Sequence, residues 1–168
     1  MSEFINNREN MTIKATDRLV ILKQLFHDLH NGRNPDEVKA HFDAFIGKIT
    51  VDEISKEVVM RHLNSFLDNN LEALLSDYTN ESVLITQAAT YSGLEEISVF
   101  FVGLSMHFPK QKSNLVLDKL VANNDLIYIV WHANTPSLQV PIGSDTFIIK
   151  DGKIYQQTFV GQLNFINQ

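Results

Sequence analysis

The sequence predicts an α+β fold, with helices first and a strand meander after. Three observations carry this. Apolar residues recur at helical spacing through about residue 77, and from residue 82 onward most of the chain alternates in twos between turn signals. Residues 144–160, S-D-T-F-I-I-K-D-G-K-I-Y-Q-Q-T-F-V, read as two strands around Lys150-Asp151-Gly152-Lys153. A type I′ turn needs positive φ at both central residues, and Asp-Gly supplies them. Strands joined this way pair side by side, so the expectation is an antiparallel sheet packed on helices, preceded by a helical hairpin.

Each element has a local reason. Residues 1–14 are polar and aperiodic, and a frayed tail is expected there. Helix one is predicted over 16–30, capped by Thr16 or Asp17, with Leu19, Leu22, Leu25, Phe26 and Leu29 on one face and Gly32 as its stop. Asn34-Pro35-Asp36-Glu37 opens helix two as cap, N1 proline and N3 glutamate; Val38, Phe42, Phe45 and Ile46 form its core face and Gly47 ends it. Thr50-Val51-Asp52-Glu53 is a second capping box, starting a third helix over 51–68 with Ile54, Val58, Phe66 and Leu67 inward. The expected domains are therefore a tail (1–14), a helical hairpin (15–50) and an α+β domain (51–168). Within the last, a short helix covers 71–77, a strand 82–91, and a helix 93–108 containing Phe101, stopped by Pro109. Strands follow over 114–122, 126–134, 140–150 and 154–163, the first two joined by Asn123-Asn124-Asp125.

Composition removes several function classes. A 44% apolar fraction with 11 Phe supports one sizeable core. The net charge of −6, with no Lys/Arg run longer than two, argues against a nucleic-acid partner. With no cysteine there is no disulfide, thiolate metal site or Cys nucleophile. No apolar run approaches the ~20 residues of a membrane span, and the first residues lack the apolar segment of a signal peptide; no membrane partner and a cytoplasmic location are expected. His27 and His30 share a helix face that could bite a metal with His41, but no H-E-x-x-H pattern accompanies them and no metal is expected. Phosphate-loop, dinucleotide and nucleophile-elbow motifs are absent, so no cofactor is expected.

Candidate site residues follow from placement. Asp145 stands at the head of an apolar strand, and period two puts it on one face with Phe147 and Ile149. A lone acid there must find solvent or a partner. Trp131 and His132 point to opposite sides; the face with Ile127, Ile129 and Ala133 is the more apolar, and the indole could line a pocket or fill a core. Gln157, grouped with Tyr155 and Phe159, could offer an amide. His62 reads either as a core-edge histidine on a backbone carbonyl or as a site residue. Tyr78 reads as packing, and His107 and Met106 border the same region.

The run V-V-M-R-H-L-N-S-F-L-D-N-N-L-E-A-L-L-S-D-Y-T-N-E-S-V, with S-D-T-F-I-I-K-D-G-K-I further on, resembles the nuclear-transport-factor-like superfamily in its SnoaL-like and ketosteroid-isomerase-like branch, over about 51–168. That resemblance implies a curved sheet wrapped around helices into a cone whose mouth holds a small apolar molecule, and sheets that pair as homodimers. It implies that Asp145 matches a neutral, hydrogen-bond-donating acid of the kind an apolar site creates. It places His62 where a tyrosine donor sits and Thr86 where a catalytic aspartate base sits; a threonine cannot fill that role. Tyr78, Thr86, Phe101, Trp131, Phe147 and Gln157 are the implied ligand contacts. The stretch L-K-Q-L-F-H-D-L-H-N-G-R-N-P-D-E-V-K-A-H-F-D-A-F-I-G is similar to a small uncharacterised helical domain found ahead of hemerythrin-like and PAS modules. The expected function is a binding or sensory module for a small apolar ligand; the alternatives are an isomerase, cyclase or dehydratase using Asp145 and His62 as acid and base, or a structural homodimer without ligand.

Overall fold

The computed structural model describes residues 15–166, with side chains described outside 15–22 and 45–50. The expected tail, 1–14, lies outside the described residues, as do the side chains of Leu19, Leu22, Phe45 and Ile46. The backbone divides into a unit ending at Glu53 and a larger unit from Ile54.

The first unit contains α1 (Ala15–His30) and the start of α2 (Pro35–Leu67). Asn34 caps α2 as expected, its Oδ1 accepting the Asp36 N–H at 2.9 Å. Val38 is buried, but Phe26 and Leu29 are exposed, so the apolar face drawn on α1 is not a buried one here. Gly47 does not end a helix, and the Thr50-Glu53 box does not start one: α2 is continuous through both. A glycine inside a helix costs only about 1 kcal/mol relative to alanine. No proline or turn residue follows it, so the ladders on either side carry the helix across. A capping box starts a helix only where a preceding break frees the N–H groups it would satisfy.

In the larger unit α2 presents Ser55, Val58, Val59, His62, Leu63 and Phe66 as a buried stripe, while Ile54 is exposed. Next come α3 (Leu71–Leu75), β1 (Val83–Thr86), β2 (Thr90–Ser92), α4 (Gly93–Ser105), β3 (Asn114–Asn123), β4 (Leu126–Asn134), β5 (Leu138–Lys150), β6 (Lys153–Gly161) and β7 (Asn164–Phe165). The sheet runs β2-β1-β6-β5-β4-β3, with β7 on β5. It is mixed, not wholly antiparallel, because β1 pairs with β6 in parallel. The predicted strand over 82–91 is two short strands joined by a turn in which Thr86 Oγ1 accepts the Ala88 and Ala89 N–H groups at 3.2 and 3.0 Å. The Asp-Gly hairpin forms as expected, with φ of 52° at Asp151 and 71° at Gly152.

Three register shifts bend this sheet: between Leu117 and Lys119 on β3, opposite Trp131–Ala133 on β5, and between Ile148 and Ile149 where β5 meets β6. Each inserts one unpaired residue, bends its strand and reverses the inward parity beyond it. The sheet is therefore curved and unclosed. Its concave side, with α2 and α4, holds the core around Val59, Leu84, Ile97, Ile127, Ile129 and Phe147.

Candidate functional site

Asp145 lies inside this core, 6% exposed. Along β5 Asp145, Phe147 and Ile149 alternate inward as the pleat dictates. Trp131 on β4 faces the same way, and His132 turns outward to Asp118, with Nδ1 2.8 Å from Oδ2. The indole can reach Asp145 because Gly143 is its cross-strand partner. A Cβ at residue 143 would stand 2.6 Å from Trp131 Cε2 and Cζ2, so only glycine lets the ring lie there. Phe159 stacks on the indole at 6.0 Å and 13°.

Gln157 reaches the acid by a different route. Sequence alternation groups it with Tyr155, but Tyr155 is exposed and Gln157 is 3% exposed. The bulge at Tyr155, where Ile149 faces Ile154 while Ile148 faces Gln156, turns both Ile154 and Gln157 inward.

These placements build a directed network. Trp131 Nε1 donates to Asp145 Oδ2 at 2.7 Å, and Gln157 Nε2 donates to Oδ1 at 2.8 Å. Tyr78 donates its hydroxyl to Gln157 Oε1, which orients the amide. The acid is thus held as a double acceptor, in contrast to the neutral donor that the resemblance implies. Burial raises its pKa from 3.8 to about 6, and the bonds from Trp131 and Gln157 oppose that rise. Burial, then the fields of Asp145 and Asp77, push the Tyr78 hydroxyl well above its ordinary value.

His62 closes the other side. It is 2% exposed, its ring meeting Tyr78, Phe101 and Phe147 edge-on at 5.4–5.7 Å. Burial, with a smaller push from Arg61, lowers its pKa to about 3, so the imidazole is neutral. Its Nδ1 has no hydrogen-bond partner among the described residues, not even the backbone carbonyl that a core-edge histidine would find.

Together Asp145, His62, Phe101, Trp131, Phe147 and Gln157 line one cavity. The sequence reading missed Phe66, Phe100 and Phe159 as further walls; the adjacent Phe100-Phe101 pair on α4 was the available signal. Thr86, expected as a ligand contact, is not part of the lining, because its hydroxyl serves the β1–β2 turn. Tyr78 acts through Gln157 from behind. The cavity has a volume of about 30 Å³, room for about two waters. Groups of three or more His, Cys, Asp or Glu able to hold a metal are absent among the described residues.

Comparison with known proteins agrees with this architecture. An NTF2-like protein of unknown function from Cytophaga hutchinsonii superposes with a TM-score of 0.55 at 10% identity, covering 64% of this chain and 89% of that one. The chain has the nuclear-transport-factor-like fold. An epoxide hydrolase of the LEH-like type from M. tuberculosis matches at TM-score 0.53 and 10% identity, covering 65% and 83%. A de novo designed protein with a curved β-sheet matches at 0.57 and 13%, covering 66% and 86%. An enzyme and a designed scaffold fit about equally well, so this fold does not carry the chemistry; the site must. No protein-family model and no curated protein sequence matches the chain.

Proposed function

We propose that the larger unit is a binding or sensory module whose cone pocket takes a small, largely apolar molecule against Asp145 and His62. The observation that carries this is Asp145 itself. A buried carboxyl fixed by two donors, beside a neutral imidazole with an unused nitrogen, is costly unless something uses those polar atoms. Aromatic walls around a few convergent polar groups are the usual makeup of a small-molecule site. Thermal melts and Trp131 emission with acetonitrile, ethanol and benzyl alcohol, whose small ends match this space, test it. A raised melting temperature with saturable quenching supports binding; no response by either readout sinks it.

A second reading is catalytic: an isomerase, cyclase or dehydratase. It is favoured by Asp145 and His62 sharing one cavity with pKa values moved in opposite directions, the pattern of acid–base sites. It requires a bound ligand atom within about 3 Å of both groups. A complex in which the ligand touches only one of them removes it. The outer sheet face leaves Val121, Ile142 and Val160 exposed, which supports a homodimer through the sheet. Light scattering that finds a monomer at micromolar concentration ends that proposal. A cytoplasmic location suits a chain without cysteine.

A further inference from the structure

Among the described residues, Asp145 accepts one hydrogen bond on each oxygen, from Trp131 and from Gln157. An ionised carboxylate offers about four acceptor positions. Both protein partners are neutral, and the cavity lining contains no lysine or arginine. Arg61, next to His62 in the chain, is committed to Asp77, with Nη2 2.6 Å and Nε 2.7 Å from Oδ1. A carboxylate buried at neutral pH without a cation is the exception in proteins.

The other surfaces of the cavity favour the same missing charge. Phe66, Phe100, Phe101, Phe147, Phe159 and Trp131 supply π surface, which attracts cations. His62 is kept neutral, so it brings no positive charge, and as the Nε2–H tautomer its Nδ1 is a further acceptor without a donor. A metal ion would find one carboxylate and one imidazole, too few for a protein site. The space suits a head of about two heavy atoms.

We propose that the cavity seats the protonated amine head of a small molecule, with the Asp145 carboxylate as its counter-ion and the aromatic rings as its walls. This names the ligand class for the binding reading above and rests on it.

Trp131 is the single tryptophan of the chain, and its indole N–H lies on the carboxylate, so it reports the site directly. The whole protein is titrated at pH 7.5 and constant ionic strength with methylammonium and benzylammonium chloride, and with methanol and benzyl alcohol as neutral counterparts. The indole N–H resonance and Trp131 emission are followed. Saturable shifts with the ammonium ions, at least about tenfold tighter than with the alcohols, are the expected result, and Asp145→Asn should abolish the preference. Equal affinity for amine and alcohol would leave the pocket standing and overturn the amine assignment. No response to any of the four overturns both. Should Asp145→Asn fail to fold, the amine–alcohol ratio of the unaltered protein decides alone.

Discussion

Two buried carboxylates in this molecule are handled in opposite ways. Asp77 is fully buried, and Arg61 reaches it with two nitrogens from α2. The backbone carbonyl of Asp77 also takes the Ile154 N–H at 2.7 Å, so this residue fastens the chain after α3 to the start of β6. Among the described residues, Asp145 is met by no cation, only by the N–H groups of Trp131 and Gln157. The first arrangement sets a cation on one oxygen, Oδ1, while Oδ2 has no hydrogen-bond partner among the described residues and burial still raises the pKa of the acid. The second fixes a charge in place and leaves it open. Burial alone therefore does not separate a structural acid from a site acid; the identity of the partner does.

Removing the cation from Asp77 should have the largest effect. Arg61→Met leaves a buried carboxylate uncompensated, and urea titration should show a loss of about 3 kcal/mol. If that loss is near zero, Asp77 is not held by its charge and the contrast with Asp145 collapses.

The pH dependence of Asp145 should be nearly as large. Its folded pKa of about 6 lies above its ordinary 3.8, so between these values the unfolded chain gives up a proton that the folded chain keeps. Stability from this group is then full below about pH 4, falls as pH rises to 6, and stays low above it. Subtracting Asp145→Asn from the unaltered protein cancels the other groups. The difference should favour the unaltered protein by about 2 kcal/mol more at pH 4 than at pH 7. His62 works in the other direction. Its folded value of about 3 lies below 6.5, so its contribution is full above 6.5 and lost as pH falls. His62→Gln, measured the same way, should give a difference of opposite slope. Two slopes of the same sign would mean that one of these groups is not buried as described.

Gly143→Ala tests the close approach that holds the indole on Asp145. The added methyl meets the Trp131 ring, itself stacked on Phe159, and overpacking of this kind costs about 1–3 kcal/mol. The indole N–H resonance should move as the bond to Asp145 lengthens; an unmoved resonance would show that the ring position does not depend on residue 143. The smallest effect belongs to Tyr78→Phe, which removes the donor that orients Gln157. A loss of about 1 kcal/mol in thermal melts is expected, with a measurable shift of the Gln157 side-chain amide. No shift there would detach Tyr78 from the network.

Much of the architecture was readable because it is local. Asp151-Gly152 dictates its turn, Asn34-Pro35 opens its helix, and alternation along β5 places Asp145, Phe147 and Ile149 on one side. Other features were not. Gly47 reads as a stop only if nothing sustains the helix beyond it. Gln157 reads with Tyr155 until a bulge shifts the pleat by one residue. Thr86 reads as a pocket residue within a longer strand, yet the chain turns there and the hydroxyl is consumed by the turn.

What the sequence determined by itself is the inventory: helices before strands, an acid at 145 on an apolar strand face, an indole at 131 on the inward side of its own. Nearest-neighbour sterics and periodicity suffice for that, since they act within a few residues. Which groups meet Asp145 was decided only in three dimensions. The indole reaches the acid because Gly143 on another strand leaves room, and the amide reaches it because a bulge redirects β6. Both depend on register between strands, and register follows from how a bent sheet packs against its helices.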